Sequence, residues 1–224
     1  MVTDLALMRL LQLVSPGLPI GMYSYSQGME RAVDDGWIGA SSEAEEWISG
    51  IMESCLTCID LPILARLYLA WANGDEESVI CWSRTLIACR ETAEPRAEDR
   101  QTGQALARLL AEMELPTMQS WIRKPETTLA TVFGFAAVNW GIAKDQAMLG
   151  YLWSWLENQA LCAVKLVPLG QVAGQCLLAD LAAKIPDLVD KALQFSDTEI
   201  GGSAFGLALA SSRHEMQYSR LFRS

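Results

Sequence analysis

The most reactive side chains in this chain are those of six cysteines and one histidine. Cys55 and Cys58 have the C-x-x-C spacing that occurs in metal and redox sites. On a helix this pair shares an apolar face, no second C-x-x-C pair exists, and His214 is the only histidine. A closed four-ligand metal site would therefore lack ligands. We interpret the cysteines as reduced thiols of the protein core and predict no metal-ligating residues.

Catalysis and nucleotide binding have little support in the sequence. Gly21 and Gly28 are not followed by the Gly-Lys-Ser/Thr sequence of a phosphate-binding loop. A serine or cysteine nucleophile would have to rely on His214, which lies in the C-terminal tail. We therefore expect a protein that is not an enzyme and that binds no cofactor tightly.

A long apolar stretch, Tyr151 to Ala183, contains a second set of candidate residues. On a helix with 100° per residue its polar residues fall within an arc of about 140° and form a polar stripe. The members of this stripe are Glu157, Asn158, Lys165, Pro168, Gln171 and Gln175. The stripe is either a hydrogen-bonded network in the core, a solvated path or a docking surface. Gly170 and Gly174 predict that a neighbouring helix comes close.

The same stretch is the predicted centre of the fold. Apolar residues recur at helical spacing through most of the chain, and no alternating run is long enough to require a strand. Asp60 is predicted to cap one helix and Pro95 to interrupt another. We predict an all-α, single-domain helical bundle over residues 1–224, packed around a central apolar helix that is kinked or broken at Pro168. The C-terminal tail, residues 213–224, is predicted to be mobile.

Composition and charge limit the possible partners. A net charge of −10 and a pI near 4.6 argue against nucleic-acid binding, which needs clustered Lys and Arg. The N-terminus does not resemble a signal peptide, and the charge-free run 127–143 is shorter than the ~20 residues of a membrane span. We predict a soluble intracellular protein. Hydrophobic residues make up 51% of the chain, which indicates that part of its surface is made for other proteins.

Two segments combine charges with other features of an interface. The segment 90–100 is dense in both acidic and basic residues, and is either a solvated helix face or a docking patch. The tail holds Tyr218, Leu221 and Phe222 among arginines, which is the composition of an interface hot spot. An acidic body with a basic tail indicates that the tail contacts another surface.

Four stretches, in order along nearly the whole chain, resemble the urease accessory protein family UreF. They read SPGLPIGMYSYSQGMERAV near the start, CRETAEPRAEDRQTG in the middle, WLENQALCAVKLVPLGQVAGQ in the central stretch and SSRHEMQYSRLFRS at the end. The last stretch is the most specific. The sequence departs from the family pattern at Pro95, where leucine is common, and at Met216, where threonine is usual.

This resemblance implies a non-enzymatic, cytoplasmic, all-helical chaperone. Proteins like UreF bridge the accessory protein UreD, also called UreH, and the GTPase UreG, commonly as a homodimer in the complex, while nickel is delivered into apo-urease. Neither nucleic acid nor a membrane is implied as a partner. Two alternatives are that the polar stripe is a conduit through which nickel passes, and that the chain regulates GTP hydrolysis by UreG.

The resemblance also implies roles for particular residues. For UreD/UreH we predict contacts from the tail, namely Tyr218, Arg220, Leu221, Phe222 and Arg223. For UreG we predict contacts from residues in the matching motifs, namely Tyr23, Tyr25, Glu30, Asp60, Arg90 and Lys165. In the conduit alternative, the path is lined by Glu157, Lys165, Gln171 and Gln175 of the polar stripe.

Overall fold

The computed structural model describes residues 3–224, and within this range the chain forms helices and loops without a β-strand. The α-helices are α1 (Asp4–Leu13), α2 (Met29–Asp34), α3 (Ser41–Ile51), α4 (Leu61–Ala72), α5 (Glu76–Ala88), α6 (Ala93–Met113), α7 (Leu129–Asn139), α8 (Lys144–Leu166), α9 (Gln171–Ala182), α10 (Ile185–Gln194) and α11 (Phe205–His214). Short 3₁₀ helices cover Met22–Ser24 and Pro116–Ser120. The apolar sides of the helices share one hydrophobic core. The predicted all-α, single-domain fold class is confirmed.

The helices α3 and α4 form one continuous rod, because a π-helical segment, Met52–Asp60, joins them. In this segment Thr57 and Cys58 donate side-chain hydrogen bonds to carbonyls five residues earlier, at 2.8 and 3.2 Å. The rod is long and apolar enough to cross a membrane by length and composition alone, but 72% of its apolar window is buried inside the fold. The prediction that Asp60 caps a helix is wrong, because its φ and ψ of −64° and −50° continue the helix through it.

The central apolar stretch is divided into two helices. α8 ends before Pro168 and α9 begins after it, so the proline breaks the helix rather than bending it. The two helices pack against each other, and a Cβ added to Gly174 would lie 2.3 Å from Cγ2 of Val164. The predicted close approach is therefore confirmed at Gly174. It is wrong at Gly170, where a Cβ would meet no atom within 4 Å.

The break at the proline also divides the polar stripe. On α8, Glu157 is half-buried, Asn158 is buried and Lys165 is exposed, whereas Gln171 and Gln175 are exposed on α9. The helical phase of α8 does not continue through the loop into α9, so residues on one predicted face end up on different surfaces. Within residues 3–224 the stripe does not line an interior path.

The helix α6 carries the mixed-charge segment and begins earlier than predicted. It starts at Ala93, and Pro95 lies in its first turn, where the missing N–H of proline removes no helical hydrogen bond. The predicted interruption at Pro95 is therefore wrong. A Cβ added to Gly103 would lie 2.4 Å from the backbone carbon of Thr128. Glycine at this position allows α6 to lie directly against the start of α7.

All six cysteines are free thiols. Cys55 and Cys162 are buried, as predicted, whereas Cys81 and Cys176 are exposed and the remaining two are half-buried. The core interpretation fails for the exposed pair because an apolar pattern does not show which side of a helix its neighbours cover. Across residues 3–224, no three His, Cys, Asp or Glu side chains are grouped so that they could hold a metal ion.

Candidate functional site

The loop that precedes α2 is held to the body of the protein by one unusual residue. Gly21 and Gly28 have positive φ angles of 80° and 78°, and Gln27 has a φ of 52°, which is rare for a residue with a side chain. The amide of Gln27 donates to Glu98 at 2.8 Å and accepts from the indole N–H of Trp155 at 2.6 Å. These two bonds fix the loop to α6 and α8 and maintain its strained backbone.

The last residues of the chain lie along this loop. Ser26 donates through its N–H, at 2.8 Å, and through its hydroxyl to the carbonyl of Ser224. The N–H of Arg223 donates to the carbonyl of Ser24 at 2.7 Å, and Phe222 is only 5% exposed. The structure places the tail against the body, and the mobility that we predicted for residues 213–224 stays a prediction. Backbone hydrogen bonds and a buried aromatic ring hold the end of the chain against the body.

Glu30, in the first turn of α2, anchors the tail from the inside. Its carboxylate accepts the backbone N–H groups of Leu221 and Phe222 at 2.6 and 2.8 Å. Its own N–H donates to the hydroxyl of Ser26 at 3.2 Å. Hydrogen bonds to a buried carboxylate are stronger than those between neutral groups, so this residue is the principal polar anchor of the tail.

The single histidine joins this anchor to α6. His214 is completely buried, and its Nε2 lies 3.5 Å from a carboxylate oxygen of Glu30. Its Nδ1 lies 2.9 Å from Glu94, which also accepts from Arg220 at 2.9 Å. Each ring nitrogen therefore faces a carboxylate, and the imidazole connects α2, α6 and the tail. We call these residues, with Ser26, Ser224, Leu221 and Phe222, the tail cluster.

A second polar cluster lies around Arg90, in the turn between α5 and α6. The guanidinium donates to Asp60 through both terminal nitrogens, with an Nη1 to Oδ2 distance of 3.0 Å, and to Asp99 through Nε at 2.6 Å. Burial disfavours the charged guanidinium, but the two carboxylates outweigh it and hold the pKa of Arg90 well above its ordinary value. Burial also raises the pKa of Asp99, against the opposing effect of Arg90. One cation thus faces two carboxylates where little water reaches.

Glu98 lies between the two clusters. It is 8% exposed and accepts hydrogen bonds from Gln27 and, at 3.4 Å, from the hydroxyl of Ser224. Burial raises the pKa of Glu98 to about 8, despite the opposing hydrogen bond from Gln27. The carboxyl group is therefore mostly protonated at neutral pH.

A cavity of about 90 Å³ lies beside these groups. Its walls include Asp60, Arg90, Glu98, Asp99 and the ring of Tyr151. Most of the cavity lining is apolar, and its polar groups lie on the side of the two clusters, where the space has room for a few water molecules. The two clusters and the cavity form one polar network that sets the positions of the loop, the π-helical segment, α6 and the tail.

Comparison with known proteins assigns the chain to a family. A model of the UreF family matches residues 38–182. The chain is 49% identical over 220 residues to the urease accessory protein UreF of Alkalilimnicola ehrlichii, and 48% identical over 222 residues to that of Pseudomonas putida F1. It is 42% identical over 220 residues to that of Hahella chejuensis. These alignments cover 98–99% of this chain and 96–99% of each relative. The chain belongs to the UreF family.

Three of the six residues that the UreF resemblance assigned to UreG lie in the polar network, and a fourth, Tyr25, is buried beside it. Tyr25 is 3% exposed and donates its hydroxyl to Gln101 at 2.7 Å. The carbonyl of Tyr25 accepts from Asn158 of α8 at 2.9 Å. The three network residues are Glu30, Asp60 and Arg90, and Tyr25 is the fourth residue that is turned inward. Their part in UreG binding stays a prediction, and their burial means that they would shape the surface rather than contact a partner.

The other two residues assigned to UreG lie on the surface next to the tail. Tyr23 is 62% exposed and precedes Ser24, whose carbonyl binds the backbone of the tail. Lys165 is exposed, and its ammonium lies 5.5 Å from the centre of the ring of Phe222. The structure therefore places both side chains along the edges of the seated tail.

The tail residues assigned to UreD/UreH divide between two faces. Tyr218 is fully exposed and Leu221 is 65% exposed, and Arg223 also faces the solvent. Arg220 is paired with Glu94, and Phe222 is buried in the protein itself. The outward side chains are free to contact a partner, whereas the inward ones hold the tail in place.

The sequence analysis missed several members of the network. These are Gln27, Glu94, Glu98, Asp99 and His214 as a buried residue. A helical projection of α6 would have indicated Glu94 and Glu98, because they fall opposite Arg96 and Arg100 on a 100° wheel. No sequence signal indicated the role of Gln27, which depends on an unusual backbone conformation and on partners 71 and 128 residues away.

Proposed function

We propose that this chain is a non-enzymatic scaffold of urease maturation. It bridges UreD/UreH and the GTPase UreG during GTP-dependent insertion of nickel into apo-urease. It works in the cytoplasm, as a homodimer within the complex. Membership of the UreF family supports the role in urease maturation, and the structure of the tail supports the bridging role.

The observation that carries the proposal is the two-sided tail. Glu30 and Ser26 bind the backbone of the tail, and the ring of Phe222 on its inner side is buried in the body. The conformational entropy of the tail is therefore lost before a partner binds, and binding does not have to supply it. The side chains of Tyr218 and Leu221 are exposed on the outer side of this fixed backbone, where they can insert into a partner as the residues of interface hot spots do. UreD/UreH is the partner we assign to this outer side.

Exposed residues on both sides of the tail support the assignment to UreG. Tyr23 and Lys165 flank the seated tail, and Arg223 is exposed beside them. The buried members of the network fix the positions of these residues relative to the tail. Binding of UreD/UreH to the tail would therefore be coupled to the surface that binds UreG. Regulation of GTP hydrolysis by UreG would act through the same surface.

The conduit alternative loses much of its predicted lining. Gln171 and Gln175 face the solvent on α9, and Lys165 is exposed near the tail. A nickel path through this chain alone would therefore have to use other residues. The conduit stays a prediction only for surfaces that become enclosed in an assembly.

Light scattering coupled to size-exclusion chromatography tests the bridge to UreD/UreH. The chain is co-expressed with UreD and UreG of the same host, as wild type, as a deletion of residues 216–224 and as a Tyr218→Ala/Leu221→Asp double variant. We expect the ternary complex to be lost in both variants. Val172→Asp on α9 is the matched control, because Val172 is a 79% exposed apolar residue far from the tail in sequence. A complex that survives the double variant, or is lost in the control, contradicts the tail assignment.

The UreG surface needs a separate pair of variants. Tyr23→Ala and Lys165→Ala remove exposed side chains without disturbing the hydrogen bonds of Glu30. We expect weaker recovery of UreG with UreD/UreH binding intact. Normal UreG recovery and normal urease activation in the double variant would show that these two side chains do not contact UreG.

A further inference from the structure

The outer face of α6 carries a concentration of unpaired arginines. Arg96, Arg100 and Arg108 recur at multiples of four residues, so their side chains fall within an arc of about 120°. Anywhere from residue 3 to 224, no carboxylate lies within 4.0 Å of their guanidinium nitrogens. All three are exposed, so one face of α6 presents three positive charges on an otherwise acidic chain.

Arg96 and Arg100 line an open groove between α6 and the segment that leads into α7, and Arg108 lies further along the same face of α6. The groove has a volume of about 620 Å³, and its lining includes Arg96, Arg100, Gln101, Gln104 and Pro125. The part of the chain that the structure describes contributes no acidic side chain to this lining. The groove is therefore a positive surface on an acidic protein, with apolar walls and amide groups between the charges.

Two contacts prepare the groove for a ligand. The Nε of Arg96 donates to the carbonyl of Arg90 at 2.8 Å, which fixes the side chain and leaves its two terminal nitrogens available. The guanidinium of Arg223 lies 3.5 Å from the amide oxygen of Gln101, so the tail adds a further positive charge at the edge. Preorganised guanidinium groups lose less entropy when they bind carboxylates.

The spacing of the charges identifies the kind of ligand. With a rise of 1.5 Å per residue, Arg96 and Arg100 are about 6 Å apart along α6, and Arg108 is about 12 Å further on. A phosphate group needs donors that converge on one point. These donors instead form a row, and a row of carboxylates at every fourth residue of a partner helix has the same spacing.

We propose that this groove binds an acidic segment of another protein, with carboxylates at about every fourth residue on one face of a helix. The proposal goes beyond the bridging function and does not depend on it, because the charge and shape of the groove carry it. Complementary charge would also accelerate the encounter with such a partner and make it sensitive to salt.

Titration calorimetry with the full chain tests the proposal. The probe is a capped, alanine-rich helical peptide of about 20 residues with Glu at every fourth position. Two control peptides carry Gln in place of Glu, or the same number of Glu residues clustered at one end. We expect binding of the spaced peptide at low ionic strength, weaker binding of the clustered peptide and none of the Gln peptide.

Variants then locate the binding site. Arg96→Gln/Arg100→Gln should raise the Kd of the spaced peptide roughly fivefold, the sum of two exposed charge pairs. Lys144→Gln/Lys191→Gln is the control, because it removes the same charge from α8 and α10, where the two lysines have no ion pair within residues 3–224. Circular dichroism should show the same helix content and the same melting temperature for both double variants and the wild type.

Four results would overturn the proposal. They are equal affinity for the spaced and clustered peptides, equal loss of affinity in the two double variants, displacement of the spaced peptide by inorganic phosphate at matched ionic strength, and conversion of a wild-type dimer to a monomer by Arg96→Gln/Arg100→Gln. The third would make the groove a simple anion site. The fourth, seen by light scattering, would assign the groove to an acidic surface of a second copy.

Discussion

Removal of the Glu30 carboxylate should release the tail while the rest of the protein stays folded. In Glu30→Ala, the N–H groups of Leu221 and Phe222 lose their acceptor and His214 loses one of its two carboxylates. Because Glu30 is 8% exposed, water cannot replace the lost acceptor unless the tail moves away from the body. The variant therefore favours an open tail, in which both N–H groups are hydrated.

The size of this effect follows from the contacts. A hydrogen bond to a charged group contributes about 1.5–3 kcal/mol, so two of them give the seated tail about 3–6 kcal/mol. Taking about 3 kcal/mol as the lower bound, the population of the open tail should rise by roughly a factor of 150. Glu30→Gln keeps one acceptor oxygen without the charge, so its effect should be about half as large in free energy.

Native-state hydrogen exchange at the tail measures this opening. In Glu30→Ala, exchange of the Leu221 and Phe222 amides should accelerate by about two orders of magnitude, while amides of α4 keep their protection. Asp190→Ala, which removes an exposed carboxylate from α10, should leave both regions unchanged. Unchanged exchange at the tail would refute the assignment of Glu30 as its anchor. Uniform loss of protection, including α4, would show that Glu30 supports the whole fold.

Two further predictions concern α6. The ordinary pKa of glutamate is 4.5 and that of Glu98 is about 8, so between these values the folded state binds the proton more tightly than the unfolded state. The free energy of unfolding should thus fall as pH rises from about 4.5 to about 8, by up to about 1.4 kcal/mol per pH unit from this group. Denaturant titrations at several pH values should show a smaller slope for Glu98→Gln. An unchanged slope would contradict the protonated state of Glu98. Gly103→Ala should lower the free energy of unfolding by about 1–3 kcal/mol or more, because the added Cβ would lie 2.4 Å from the backbone of Thr128. The control Gly50→Ala adds a Cβ with no atom within 4 Å and should stabilise the protein by up to about 1 kcal/mol. Equal shifts in melting temperature for the two variants would argue against the close contact of α6 and α7.

Some errors of the sequence analysis came from residues that have two common roles. Asp60 precedes a proline near a helix start, which is where a capping residue is expected, yet its partner is Arg90, 30 residues later. Pro95 interrupts a helix in most positions, but not in the first turn, and the sequence does not show where the turn begins. In both cases the local pattern was compatible with two structures, and contacts with distant segments selected one.

The tail illustrates the same limit more strongly. Its end mixes apolar residues with arginines, a composition that predicts contact with another surface but does not identify that surface. The hydrogen bonds that hold it to the body join residues at least 120 positions apart, such as His214 with Glu94 and Ser224 with Ser26. Each of these residues alone has no feature that marks it as a partner of the other.

The sequence by itself determined the helical class, the break of the central apolar stretch at Pro168, the close contact at Gly174 and the family. These features depend on the spacing of apolar and small residues within one segment, or on motifs read directly from the chain. Only the tertiary structure decided which polar residues are buried together, where the tail lies and which arginines remain unpaired. A charged side chain is stable either in water or beside a buried partner, and the free energy that separates these states comes from segments far away in the sequence.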